Sequence, residues 1–310
     1  MKPSNRLIGS IVSIGGFAIT ICLLLTTPST SAQLSNNSFP PLPNGKAADG
    51  AARFVVMGDT GTGKEAQLAI AERMADFFAE RAYDTVLMLG DNIYSGGKSA
   101  DLVKKFEQPY AKLLKGDVKF YASLGNHDVS KGRALQINYP NFNMRGKAYY
   151  SVTKADGLID FFAIDSTGFD VEQQQWLEKA LTASNARWKI PFFHHPIYSS
   201  GKAHGSDTRL RAKLEPIFVK FGVKAVLSGH DHFYERTKPQ QGIQYFVCGA
   251  SGQLRRGNIN RHSPFFETGN DQVTSFLFAE ASKNSLTFWA IDATGKVLDS
   301  VSLKASEREQ

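Results

Sequence analysis

Phe54-Val55-Val56-Met57-Gly58-Asp59-Thr60-Gly61 runs four apolar residues into a polar turn, and its reading decides the fold. A short apolar run closed by glycine is the pattern of a buried strand that ends in a tight loop. Residues 65–81 follow with apolar side chains at helical spacing, so the segment reads as strand, loop and helix. The pattern then repeats: 85–89 predicts a second strand, 102–114 a second helix and 118–124 a third strand. Such alternation predicts parallel β-α-β units and an α/β fold. Further strands are predicted at 148–152, 158–164, 188–193, 223–228, 243–248, 273–280 and 285–291, with helices near 171–183 and 208–221. Little helix separates the last strands, so the tail is expected to form a second sheet packed against the first.

The loops that leave these strands hold the unusual residues. They are Gly58-Asp59-Thr60-Gly61, Gly90-Asp91-Asn92-Ile93-Tyr94, Gly125-Asn126-His127-Asp128, Phe193-His194-His195-Pro196 and Gly229-His230-Asp231-His232. In open α/β sheets, sites form beyond the carboxyl ends of strands, so the five loops predict one convergent site. His127, His194, His195, His204, His230 and His232 lie in or beside them, and His262 alone lies elsewhere, where it reads as a surface-loop residue. Imidazole, carboxylate and amide oxygen together suit a borderline-hard metal such as Fe, Mn or Zn. Taken singly, each motif has an ordinary reading. Asp59 reads as a helix N-cap, Asp91 as a turn residue, Tyr94 as packing and His230 and His232 as loop histidines. Their order along one chain favours a metal site. In an extended Gly229-His230-Asp231-His232, side chains two apart point the same way, so the two histidines share a side and Asp231 points elsewhere.

In order, the five loops resemble the GDxG, GDxxY, GNH(D/E), HxPxY and GHxH motifs of the purple acid phosphatases. Gly90-Asp91-Asn92-Ile93-Tyr94 and the spacing are most similar to the small tartrate-resistant type, and the resemblance covers about 53–252. It implies a metallophosphoesterase fold, a four-layer α-β-β-α sandwich of two mixed sheets, in a catalytic domain over 52–304. It implies that Asp59, Tyr94 and His232 hold Fe3+, and that Asn126, His194 and His230 hold a second divalent metal (Fe2+, Zn2+ or Mn2+). Asp91 would bridge both. Asp59, Asp91 and an ionised Tyr94 then supply three negative charges against five positive, and the excess binds a hydroxide nucleophile and a phosphate dianion. The implied reaction is acid-phosphatase hydrolysis of phosphate monoesters by a metal-bound hydroxide, with His127 and His204 bordering the leaving oxygen. The HxPxY register selects His194, with Pro196 and Tyr198 following. Neighbouring side chains on a strand face opposite sides, so His195 is expected to point away from the metals.

Other readings compete. A phosphodiesterase or nucleotide pyrophosphatase with two divalent ions shares most motifs but lacks the phenol that Tyr94 supplies. Gly58-x4-Gly63-Lys64 nearly spells a phosphate-cradling P-loop, yet Glu65 stands where Ser or Thr must reach Mg2+. A metal- or phosphate-binding protein without turnover is the non-enzymatic reading. Arg255 and Arg256 lie on a loop that would border the cleft.

The ends of the chain carry other information. Lys2 and Arg6 precede an uncharged stretch over 7–25 and then Thr30-Ser31-Ala32-Gln33, the pattern of a secretory signal cleaved after Ala32. An uncleaved anchor over the same stretch is the alternative. Either predicts an exported catalytic part. Residues 33–51 are rich in Pro, Asn, Gly and Ser and read as a flexible linker. The formal charge is +7, and loss of Lys2 and Arg6 leaves +5, a field that favours anionic substrates such as small phosphate esters. No basic run predicts a nucleic-acid partner, and membrane contact is expected only if 1–32 is retained. The oligomeric state is unknown from the sequence. Cleavage would leave Cys248 alone, which excludes a thiolate metal site and predicts a small buried apolar residue.

Overall fold

Two mixed sheets carry the chain in the computed structural model, which describes residues 39–94 and 98–305. The first part of the sequence supplies β1 (Ala52–Met57), β2 (Thr85–Leu89) and β3 (Lys119–Ser123). The middle supplies β4 (Tyr150–Lys154), β5 (Ile159–Ala163), β6 (Trp188–Phe193), β7 (Ala225–Ser228), β8 (Tyr234–Thr237), β9 (Gln244–Cys248) and β10 (Phe266–Asn270). The tail supplies β11 (Ser275–Ala281), β12 (Ser285–Asp292) and β13 (Val297–Lys304). One sheet runs β13-β12-β11-β1-β2-β3 and the other β10-β8-β9-β7-β6-β5-β4. The tail therefore does not build a second sheet, as its strand-rich pattern suggested. It completes the first, because β11 pairs antiparallel with β1, from Ala52 opposite Ala281 to Val56 opposite Leu277.

The helices are α1 (Glu65–Arg81), α2 (Ser99–Leu102), α3 (Ala111–Lys115), α4 (Asn126–Val129), α5 (Arg133–Ile137), α6 (Val171–Ala183) and α7 (Thr208–Lys220). Phe77 on α1 packs edge-on against Phe276 and Phe278 of β11, on the outer face of the first sheet. Leu177 and Leu181 of α6 and Leu214 and Phe218 of α7 bury against the outer face of the second. Between the sheets, Phe54 of β1 meets Phe161 of β5 at 4.9 Å and Phe246 of β9 meets Phe288 of β12 at 4.6 Å. The result is the four-layer α-β-β-α sandwich. Alternation explains the continuous apolar runs: Phe161 faces the other sheet while Phe162 faces the helices, so both sides of β5 are covered. Truncating a ring such as Phe161 to Ala would cost about 3–5 kcal/mol.

The helix expected over 102–114 is broken. α2 passes into a widened π-type turn over Val103–Glu107, and α3 starts only at Ala111. The Lys105 carbonyl accepts from Gln67 Nε2 at 2.6 Å, and Lys105 Nζ donates to the Tyr94 carbonyl at 2.6 Å. Such turns commonly mark functional places in a helix. β8, β10 and β13 are not predicted by the sequence, since none holds a continuous apolar run. Residues 39–51 form no helix or strand, yet Trp289 Nε1 donates to Pro40 O at 2.7 Å and the Gly45 N–H to Glu80 O at 3.1 Å. The signal or anchor at 1–32 lies outside the described residues. Among the described residues no helix is long and apolar enough to cross a membrane.

Candidate metal centre

All five loops leave the carboxyl ends of strands: β1 leads to Asp59, β2 to Asp91 and Tyr94, β3 to Asn126 and His127, β6 to His194, and β7 to His230 and His232. β1, β2 and β3 are parallel in one sheet and β5, β6, β7 and β9 in the other, so these ends meet over the seam of the sandwich. Backbone bonds stitch the loops together. The Asp59 N–H donates to Gly90 O at 3.1 Å, and the Gly229 N–H to His194 O at 3.0 Å. Close approach explains two glycines. A Cβ at Gly125 would lie 2.2 Å from Asp91 Oδ1, and one at Gly90, whose φ is 85°, would lie 2.7 Å from His194 Nδ1. Asp59, Asp91 and His230 themselves have left-handed φ of 56°, 49° and 69°. Backbone strain of about 1–3 kcal/mol at such a residue persists where surrounding contacts over-determine it. Asp59 is no N-cap, because α1 begins six residues later.

The donor atoms form two triads. In one, Tyr94 Oη lies 3.1 Å from Asp59 Oδ1 and 3.1 Å from His232 Nε2, and His232 Nε2 lies 3.3 Å from Asp59 Oδ1. In the other, His194 Nε2 lies 3.0 Å from Asn126 Oδ1 and 3.0 Å from His230 Nδ1. Asp91 stands between them, with Oδ1 3.6 Å from His194 Nε2 on one side and Tyr94 and His232 acting on it from the other. Ligands held at about 2.0–2.2 Å by one ion sit about 3.0–3.5 Å from each other, and the three distances of the first triad and the two from His194 in the second have that spacing. The second carries a further signature. His194 Nδ1 donates to Leu89 O at 2.9 Å, so Nε2 presents a lone pair to the carbonyl oxygen of Asn126. Two acceptors facing each other at hydrogen-bond distance suit a shared cation. The donor set fits a pair of metal ions.

The electrostatics divide along the same line. Burial, and after it the neighbouring histidines, lowers His230 to about 2; burial lowers His194 to about 4. Both rings are thus neutral, the form that binds metal. Burial, then Asp59 and Asp91, pushes the Tyr94 phenol well above its usual range, so its ionisation needs added positive charge. Burial raises Asp91. It opposes protonation of His232, but the hydrogen bond and charge of Asp59 prevail and raise that ring.

One expectation fails. β6 ends at Phe193, so His194 and His195 occupy a bend rather than a strand and do not face opposite sides. The His195 ring lies 4.9 Å from that of His194 and 4.6 Å from that of His230. His127 sits 4.8 Å from the Tyr94 ring, half-exposed, with its backbone N–H donating to Asp91 Oδ1 at 3.0 Å. The His204 ring lies 4.3 Å from that of His230, and Arg255 Nη1 donates to its Nε2 at 3.1 Å. Arg256 turns to Gln272 O, and His262 is exposed at the surface.

Sequence reasoning gave no role to the buried carboxylates that hold these loops, although the GNH(D/E) motif marks one of them. Asp128 accepts from the backbone N–H groups of Asn92, Ile93 and Gly125, from Asn92 Nδ2 and from Gln136 Nε2, all within 3.2 Å. Burial, then Asp91, pushes its carboxyl up to about 7, against five N–H donors that favour the ionised form. Asp231 turns away from the triads and accepts from Ser199 Oγ at 2.6 Å and the Gly205 N–H at 3.1 Å, fixing the loop that carries His204. A cavity of about 580 Å³ beside Asp156, Arg187 and Lys283 lies by the amino ends of β5 and β6 and lacks this donor set.

Known proteins resemble this chain in sequence and in fold. Purple acid phosphatase 17 of Arabidopsis thaliana is 28% identical, over 78% of this chain and 80% of its own length. Tartrate-resistant acid phosphatase type 5 of Mus musculus is 26% identical, over 87% and 95%. Among solved structures, GAP50, the anchor in the inner membrane complex of Plasmodium, superposes with a TM-score of 0.73 over 84% of this chain and 90% of its own, at 22% identity, which speaks to the fold alone. Residues 52–234 match the family described as calcineurin-like phosphoesterase, more than half of the chain. With that match and the sandwich already in view, this chain belongs to the calcineurin-like phosphoesterase family.

Proposed function

We propose that the protein is a metal-dependent acid phosphatase that hydrolyses phosphate monoesters. The observation that carries the reading is the pair of donor triads with Asp91 between them, supported by likeness to purple acid phosphatases over most of the chain. Asp59, Tyr94 and His232 would hold a ferric ion, and Asn126, His194 and His230 a divalent one. When bound, such a pair supplies Lewis-acid charge for the phosphoryl oxygens and acidifies a water.

The remaining residues orient and exchange protons. Arg255 only donates, so its bond to His204 Nε2 leaves the His204 proton on Nδ1. His127 and His204 flank the triads: the neutral His204 can offer its Nδ1–H as a hydrogen bond to the ester, and a protonated His127 gives its proton to the departing alkoxide as the P–O bond breaks. Tyr94 favours the monoesterase over the two-divalent-ion diesterase, since a phenol recruited to the oxygen-rich triad suits a trivalent ion. The residues over 1–32 support export of a catalytic domain spanning 52–304. Metal analysis of purified protein, with initial rates on p-nitrophenyl phosphate and bis-p-nitrophenyl phosphate, tests the reading. About two metals per chain, one of them iron, and preference for the monoester are expected. Two zincs and diester preference would overturn it.

A further inference from the structure

His195 has no part in the two triads, yet the fold places it against them. Its ring is half-buried beside the rings of His194 and His230, and one of its nitrogens lies within 4.8 Å of a nitrogen of each. The other feature is Ser166, on the loop that leaves β5. The His195 backbone N–H donates to Ser166 Oγ at 3.0 Å, and the same Oγ lies 3.0 Å from His195 Nδ1. The Ser166 oxygen already accepts the backbone N–H, and its hydroxyl hydrogen is free to turn to Nδ1. In that arrangement Nδ1 is an acceptor and the ring proton stays on Nε2. A ring nitrogen carrying hydrogen cannot ligate a metal, but it can donate to an anionic oxygen.

We propose, resting on the phosphatase reading, that His195 is a substrate-contacting residue, its Nε2–H donating to a phosphoryl oxygen on the His194–His230 side of the centre, with Ser166 fixing the tautomer. His195 would then bind phosphate and orient the ester, while the metals stay with the residues already named.

Metal-loaded wild type, His195→Ala, His195→Gln, Ser166→Ala and Ser166→Thr test this by metal content, calorimetric affinity for inorganic phosphate, and KM and kcat on a monoester. Loss of a hydrogen bond to a charged oxygen should weaken phosphate binding about tenfold or more. His195→Ala is expected to keep both metals, weaken phosphate by that factor and raise KM more than it lowers kcat. His195→Gln, which keeps a donor, should recover part of the affinity. Ser166→Ala should weaken phosphate less than His195→Ala does, and Ser166→Thr should restore it. Loss of a metal in His195→Ala would make the residue a ligand and overturn the proposal. Unchanged phosphate affinity in His195→Ala, with the wild type binding normally, would overturn it alone. A wild type with no phosphate affinity would overturn the phosphatase reading as well.

Discussion

The two donor triads share a spacing near 3 Å between neighbouring ligand atoms and differ in charge. Asp59, Tyr94 and His232 lie 3.1–3.3 Å apart, and His194 lies 3.0 Å from each of Asn126 and His230. The first offers two oxygens able to carry negative charge and one imidazole. The second offers two imidazoles, both kept neutral chiefly by burial, and one neutral amide oxygen. Similar spacing with different charge means that the strand ends set where a cation sits, while residue type sets which cation is preferred. A harder, more highly charged ion suits the first triad and a divalent ion the second.

The largest expected effect breaks the second triad alone. His194→Ala removes a fully buried ring anchored by Leu89 and should empty that site, lowering kcat/KM by about 10³-fold or more. Metal analysis should still find the first ion. Loss of both ions together would show that the triads are one unit, and the comparison would fall.

Next comes the first triad. Tyr94→Phe should abolish the visible charge-transfer band expected of an iron-loaded violet protein, and weaken the first metal by about 10–100-fold, the second remaining bound. A band that survives the substitution would deny Tyr94 its place beside iron. Smaller again is His204→Ala. It should retain both ions and slow kcat by about 10²-fold, the usual worth of a positioned hydrogen-bond donor to charge that develops in the transition state. A drop in metal content would make His204 part of the second triad.

The smallest effect separates the scaffold from the donors. Glu235 is fully buried beneath Ser200, whose N–H donates to its Oε2 at 2.8 Å, and burial pushes its carboxyl up to about 7. Its folded pKa thus lies above its unfolded one, near 4.5. The folded state holds more protons between those values, so this group's contribution to stability is present below about 4.5 and lost as pH rises toward 7. Glu235→Gln should flatten that fall in metal-free protein by up to about 3 kcal/mol in denaturant titrations. An unchanged pH profile would show that Glu235 ionises freely.

Some of this was legible in the sequence. The positions of β1, β2, β5, β6 and β9 followed from apolar runs covered on both faces, and α6 and α7 from helical spacing. The five loops were visible because glycine and a polar donor interrupt an apolar run at each strand end. The break between α2 and α3 was not, since it depends on Gln67, 38 residues away, taking the Lys105 carbonyl. Nor was Asp128 as a brace, because its five donors come from Asn92 and Ile93 after β2, from Gly125 on its own loop and from Gln136 on α5.

By itself the sequence determined the order of most strands and of α1, α6 and α7, and it marked the candidate nitrogen and oxygen donors. Those are local properties, carried by periodicity and by residues adjacent in the chain. Tertiary structure alone decided that β11, β12 and β13 close the first sheet, because a strand's edge fits any partner until packing selects one. It alone decided where His195 points, since alternation of side chains ends where β6 ends, at Phe193. Past that residue, Ser166 and the neighbouring rings of His194 and His230 set the direction, and they come from three different strand ends.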